Sequence, residues 1–209
     1  MLVREIMHPD PIAITATKTL DQAYALMRDR HIRHLPVVEG GRLVGVVTDR
    51  DLRLATSRLA ERPFPPETQV LEVMTRPVHT AQPLDPIETA ARTMRELKIG
   101  CLPVVEGDDL LGIVTGIDIL DALLKLTGVG RPAGRLEIRL ASRPGELANL
   151  TRFLADRGVN IHSILSYPED ETRGRLILRV ATMEIRTLAA ALREAGFETL
   201  WPPDKPCQK

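Results

Sequence analysis

The chain repeats itself, and the repeat limits what it can fold into. The run Leu35-Pro36-Val37-Val38-Glu39-Gly40-Gly41-Arg42-Leu43-Val44-Gly45-Val46-Val47-Thr48-Asp49-Arg50-Asp51 returns as Leu102-Pro103-Val104-Val105-Glu106-Gly107-Asp108-Asp109-Leu110-Leu111-Gly112-Ile113-Val114-Thr115-Gly116-Ile117-Asp118. Pro36 and Pro103, Gly45 and Gly112, Thr48 and Thr115, and Asp51 and Asp118 are each 67 positions apart. Two copies of one supersecondary unit are expected to pack across a pseudo-twofold axis, burying surfaces that neither copy could bury alone.

Each copy reads as strand, tight turn, strand and helix start. Gly40-Gly41 supplies the positive φ angles of a two-residue hairpin turn. Val44 to Val47 is β-branched apart from Gly45 and suits a buried strand. Thr48 and Asp49 are good helix caps, and Leu52, Leu54 and Ala55 open an apolar helical pattern expected to run over 52–59. Upstream, Leu20, Ala23, Leu26 and Met27 mark one face of a helix over about 19–30. Ile87, Ala90, Ala91, Met94 and Leu97 repeat that stripe. Val70 and Met74 match Val3 and Met7, with compensating one-residue shifts expected over 75–86. Arg62-Pro63-Phe64-Pro65-Pro66 is a stiff connector, and the second copy closes on an apolar helix from Ile117 to Leu126.

Thr and Asp three apart, where a strand ends and a helix begins, invite a chemical explanation. A helix N-terminus presents unpaired N–H groups and partial positive charge, which suits a phosphate. A Thr hydroxyl adds a hydrogen bond there, and an ionised Asp accepts from a pair of ribose hydroxyls. Gly45 would let a ligand approach the strand backbone. A cap alone explains one of the two residues, so a nucleotide fits the pair better than a bare anion.

Gly-x-x-Thr-x-x-Asp after a Pro-Val-Val strand resembles the CBS domain, and two copies in register resemble the tandem CBS arrangement called a Bateman pair, over about 1–126. The resemblance implies an α/β fold with CBS copies at 1–66 and 67–126. It assigns Thr48 and Asp51, and Thr115 and Asp118, to phosphate and ribose. Arg50 would reach a phosphate. The base pocket would be lined by the residues just before each Pro-Val-Val strand: Arg33, His34 and Leu35 in the first copy, and Gly100, Cys101 and Leu102 in the second. The implied regulatory ligand is an adenine nucleotide (AMP, ADP or ATP) or S-adenosylmethionine. The first copy supplies more positive charge for a phosphate, with Arg33, His34 and Arg50 against Gly100, Cys101 and Ile117.

Charge and composition narrow the partners. With 28 basic and 28 acidic residues the chain is neutral, so nothing points to nucleic acid or an anionic membrane surface. Aromatics at 3 % leave no stacking platform for single strands. Cys101 and Cys207 make no disulfide framework, and no apolar run approaches the ~20 residues that cross a bilayer. A soluble, cytoplasmic protein is expected. His31 and His34 straddle a helix-to-strand junction without a third ligand nearby, so no metal site is expected. Cys101 has no base beside it in the pattern and reads as a small buried hydrophobe.

Thr127-Gly128-Val129-Gly130-Arg131-Pro132-Ala133-Gly134 changes the texture and reads as a linker over 127–134. Beyond it, Leu136 to Leu140 alternates as a half-exposed strand. Pro144 suits the first helical position, with Leu147, Leu150 and Leu154 as the helix face and Gly158 as its stop. Ile161 to Tyr167 and Leu176 to Ala181 read as strands around a charged loop. Leu188, Ala191 and Leu192 mark a helix stopped by Gly196, before a last strand through Leu200 and Trp201. The order β-α-β-β-α-β is a split βαβ arrangement, a ferredoxin-like α+β fold over 135–201 with a loose tail at 202–209.

With Arg143-Pro144-Gly145-Glu146-Leu147 after its first strand and Gly158-Val159-Asn160-Ile161 entering its second, this half resembles an ACT domain, an amino-acid-sensing module. The resemblance implies an effector site at Arg143, Gly145, Leu147, Asn149 and His162, with Gly145 admitting a carboxylate to the helix N-terminus. Ser142 stands where the family often has Asp or Asn, and a domain that only dimerises is the alternative. A CBS pair followed by one ACT domain, without a catalytic domain, is similar in architecture to the acetoin utilisation (AcuB) family. It implies a non-catalytic homodimer that regulates an enzyme. A scaffold with an empty CBS pair and a nucleotide-processing enzyme are the rival classes.

Overall fold

The computed structural model describes residues 1–130 and 132–204, and the chain divides into two compact units, Met1–Ala122 and Leu123–Lys209. In the first, β1 (His8–Pro9) precedes α1 (Leu20–Asp29), which leads into the hairpin β2 (His34–Glu39) and β3 (Arg42–Thr48) and then α2 (Asp49–Ala55). The second copy supplies α3 (Ile87–Leu97), β4 (Cys101–Glu106), β5 (Asp109–Thr115) and α4 (Gly116–Thr127), the last continuing past the unit boundary. The hairpins superpose in register: Leu35 faces Val47 as Leu102 faces Val114, each with a bulge after the first Val. Gly40 and Gly41 turn the first hairpin at φ of 55° and 84°. β3 and β5 meet where Arg42 pairs with Asp109, two positions 67 apart, so the pseudo-twofold axis passes between them.

The cores are crossed. Val3 packs with Ala90, Met94, Leu102 and Val114 of the second copy, while Val70 and Met74 pack with Leu20, Leu35 and Val47 of the first. Backbone bonds hold both exchanges: Val3 N–H donates to Asp85 O and Ile87 N–H to Met1 O, as Leu20 N–H donates to Thr68 O and Val70 N–H to Lys18 O. Each segment fills the apolar stripe left open between helix and sheet of the other copy.

Two local expectations change. The offset of 67 holds through 75–86 without any shift, because Ile14 bridges Val37 as Ala81 bridges Val104. The helix expected over 52–59 stops at Ala55. Thr56 turns its N–H and its hydroxyl back onto Leu52 O, and Phe64 N–H returns to satisfy Ala55 O.

The second unit holds β6 (Gly134–Ala141), α5 (Glu146–Ala155), β7 (Ile161–Pro168), β8 (Arg173–Val180), α6 (Ile185–Glu194) and β9 (Glu198–Trp201). The antiparallel sheet runs β7-β8-β6-β9. Leu136, Ile138, Leu176 and Leu178 alternate onto one face, against Leu150 and Leu154 of α5 and Leu192 of α6. On the other face Arg175 reaches Glu169 at 2.6 Å and Glu137 at 3.1 Å, and Arg139 pairs with Glu169. These guanidinium hydrogen bonds, Arg139 first, pull the Glu169 carboxyl down to about 2. The linker is shorter than expected, since Thr127 ends α4 and Gly134 begins β6; Arg131 lies outside the described residues. The tail is not loose at its start: Pro202 is buried, its carbonyl takes a hydrogen bond from Arg193, and Asp204 pairs with Arg193 at 2.5 Å. The remainder, 205–209, lies outside the described residues.

Candidate functional site

The strand-to-helix junctions are built as reciprocal caps. Thr48 N–H and Thr48 Oγ1 donate to Asp51 Oδ2 at 2.9 and 2.7 Å, and Asp51 N–H donates back to Thr48 Oγ1 at 3.2 Å. Thr115 and Asp118 repeat the box at 2.7, 2.8 and 3.4 Å. This capping box accounts for both residues of the Thr-x-x-Asp spacing, where the sequence argument credited a cap with only one. It also changes what the threonines offer. Each hydroxyl proton is committed to its own Asp, so Thr48 and Thr115 keep acceptor capacity and do not donate to a phosphate while the cap is closed.

Between the copies lies a cleft of ≈ 1160 Å³. Arg33, His34, Thr48, Arg50 and Asp51 line it from the first copy, and Cys101 and Thr115 from the second. Its floor is a small apolar cluster in which Val46, Cys101 and Ile113 pack against Val78. Leu35 and Leu102 do not line it, contrary to expectation. Successive strand residues point to opposite faces, so His34 and Cys101 face the cleft while Leu35 and Leu102 are fully buried in the two cores. Gly45 is likewise not a ligand approach: a Cβ there would stand 2.4 Å from Met74 Sδ, and the glycine makes room for the exchanged segment. Asp118, at 9 % exposure, is withdrawn from the cleft wall, and His8 Nε2 lies 2.9 Å from its Oδ1.

Sequence reasoning missed His8, Asp10, His79 and Lys98, all of which line the cleft. His8 arrives by the long-range pairing of β1 with β5, which no local pattern announces. Lys98 did carry a signal. It lies 67 positions after His31, and both follow a helix at positive φ, 55° and 54°.

The electrostatics are nearly balanced. Asp49 is paired with Arg53 at 2.9 Å, which leaves Arg33, Arg50 and Lys98 against Asp10 and Asp51. Burial, followed by the charge of Arg33, holds the His34 imidazole below its ordinary range and hence neutral at neutral pH. Burial pushes the Cys101 thiol up to about 12, so it is neither a thiolate nor a nucleophile at neutral pH. Among the described residues no group of three or more His, Cys, Asp or Glu is placed to hold a metal ion, and no helix is long and apolar enough to cross a membrane.

The sequence profile of the CBS domain matches residues 3–58 and 70–125, and that of the ACT domain matches 134–196. The chain belongs to the CBS-domain family, with an ACT domain following the pair. Among solved structures it is similar to a putative acetoin utilisation protein (AcuB) from Vibrio cholerae, 38 % identical, with a TM-score of 0.53 over 63 % of this chain and 98 % of that one. It is also similar to the CBS domain pair of protein MJ0100 in complex with 5′-methylthioadenosine and S-adenosyl-L-methionine, 29 % identical, TM-score 0.54, covering 63 % and 98 % of the two chains. A third likeness is to CBSX2 in complex with AMP, 27 % identical, TM-score 0.55, covering 60 % and 97 %.

The ACT half places its expected effector residues differently. α5 opens at Glu146 with Gly145 as N-cap at φ 95°, so Pro144 precedes the helix instead of occupying its first position. Arg143 Nε donates to Glu146 Oε1 at 2.6 Å, and its guanidinium is thereby engaged within the loop. Gly145, Leu147 and Asn149 are exposed around that helix start, and His162 is exposed on β7 at a register shift.

Proposed function

We propose that the CBS pair binds an adenosine-containing ligand in the cleft and that the protein is a regulatory sensor. One observation carries the proposal: Asp51 lines the cleft and its Oδ1 takes no hydrogen bond from the described residues, while Oδ2 anchors the carboxylate in the helix cap. A ribose diol donates two protons to such a group. The apolar floor suits a purine face, and Arg33 and Arg50, which line the cleft without an ion-pair partner among the described residues, suit a phosphate. With so little net charge on the walls, AMP or S-adenosylmethionine fits better than the polyphosphates ADP and ATP. The ligands of the MJ0100 pair and of CBSX2 support the same class.

A thermal-shift screen with AMP, ADP, ATP and S-adenosylmethionine tests this on the wild type and on Asp51→Ala. A ligand at 100 times its Kd stabilises by about 2.7 kcal/mol. Stabilisation by AMP that is lost in Asp51→Ala is the expected result; no shift with any of the four removes the sensor and leaves an assembly scaffold.

For the ACT domain the proposal is a homodimer joined along β7, with amino-acid binding as a second signal to be tested on the same dimer. β7 is an edge strand with Ile164 and Tyr167 exposed at 40 % and 42 %. An exposed apolar edge is a template for pairing with another strand. Light scattering on the wild type and on Ile164→Lys reads this directly, with a dimer expected to become a monomer. The likeness to the Vibrio cholerae protein makes acetoin utilisation the first pathway in which to seek the regulated enzyme.

A further inference from the structure

Asp118 is not a second Asp51. Both carboxylates use Oδ2 for the helix cap, but Asp118 Oδ1 is taken by His8 Nε2 at 2.9 Å. The cleft wall therefore contains Asp51 on one side and, on the other, His8 in place of Asp118. The pseudo-symmetry identifies what this replaces. His8 bridges Ile113 as Thr75 bridges Val46, and both pairs are related by 67 positions. Thr75 makes no bond to Asp51 among the described residues, so only the second copy has its carboxylate covered.

The cover is anchored from behind. β1 pairs His8 and Pro9 with Ile113 and Gly112. His8 O lies 2.9 Å from where a Cβ on Gly112 would stand, so the absence of a side chain at Gly112 is what lets the strand lie this close. The His8 side chain itself is 69 % exposed and contacts an Asp118 side chain that is 10 % exposed, and of the two residues His8 lines the cleft and Asp118 does not.

We propose that His8 closes the second of two pseudo-equivalent subsites, so that the cleft holds one adenosine ligand, seated on Asp51, instead of two. The proposal rests on the reading of the cleft as an adenosine site. A ribose entering the first subsite meets a free carboxylate oxygen. In the second it must displace an imidazole that occupies both that oxygen and the space in front of it. The flanking residues act in the same direction, with Arg33 and Arg50 in the first subsite against Gly100 and Ile117 in the second.

Isothermal titration of the full chain with AMP decides it, using wild type, His8→Thr, Asp51→Asn and Asp118→Asn. The expected result is one equivalent for the wild type and for Asp118→Asn, none for Asp51→Asn, and two for His8→Thr, which installs the residue that Thr75 supplies at the equivalent position beside Val46. Two equivalents in the wild type overturn the assignment, as does a His8→Thr protein that stays at one, or binding lost in Asp118→Asn and kept in Asp51→Asn. Should His8→Thr fail to fold, as read by its thermal transition, the two Asp variants decide alone. Absence of AMP binding in both wild type and His8→Thr overturns the adenosine reading itself, an outcome distinct from unchanged stoichiometry.

Discussion

The His34 ring stands against the backbone of Gly100: a Cβ added to that glycine would lie 2.8 Å from His34 Nε2. One residue of the first copy thus fills the space left by a missing side chain in the second, and the contact helps to bury the imidazole.

That burial makes stability depend on pH. A folded-state pKa lowered from 6.5 means that the unfolded chain binds more protons, so the neutral ring's contribution is complete above about 6.5 and is lost as pH falls toward the lower folded value. Thermal melts between pH 7.5 and 5 should show the wild type losing stability more steeply than His34→Gln. Equal slopes would mean that the ring is charged without penalty.

The two strand glycines should respond unequally to alanine. At Gly45 the added carbon meets only side-chain atoms of Met74, with Cγ at 3.0 Å and Cβ at 3.3 Å behind Sδ, whereas at Gly112 it meets the backbone His8 O at 2.9 Å as well as Met7 Sδ at 2.8 Å. Backbone yields less than a thioether, so Gly112→Ala should destabilise by about 1–3 kcal/mol and Gly45→Ala by less, as read by urea unfolding. Equal losses would contradict the close approach of β1.

Thr48→Ala removes the hydroxyl that both donates to and accepts from Asp51. The lost cap should lower stability by about 1 kcal/mol without any ligand present. If unfolding midpoints match the wild type in the absence of nucleotide, the capping box contributes nothing and Thr48 serves only a ligand.

Cys101 should resist alkylation. With its thiol pushed up to about 12 and buried beneath the cleft, iodoacetamide at pH 8 should label it far more slowly in the folded protein than in urea. Peptide mass spectrometry of the Cys101 fragment measures the ratio. Rapid native labelling would reveal an accessible thiolate and reopen a nucleophilic role.

What could be read from the sequence was whatever a short window carries. The 67-residue offset, the Gly40-Gly41 turn, and the apolar stripes of α1 and α3 follow from local periodicity and turn chemistry, and the structure has them. Leu35 and Leu102 were misplaced although strand alternation already put them opposite His34 and Cys101; the family resemblance had counted neighbours along the chain without asking which face they occupy. Gly45 and His8 were beyond a local reading. One exists for Met74 and the other reaches Asp118, partners 29 and 110 positions away that only the crossed packing brings near.

The crossing also sets an order of assembly. A chain emerging from the ribosome can complete its first core only after Met74 has been made, and its second core waits for Val114 although one member, Val3, was made 111 residues earlier. Val3 therefore has no complete core to join until the whole of the first copy and most of the second have been made.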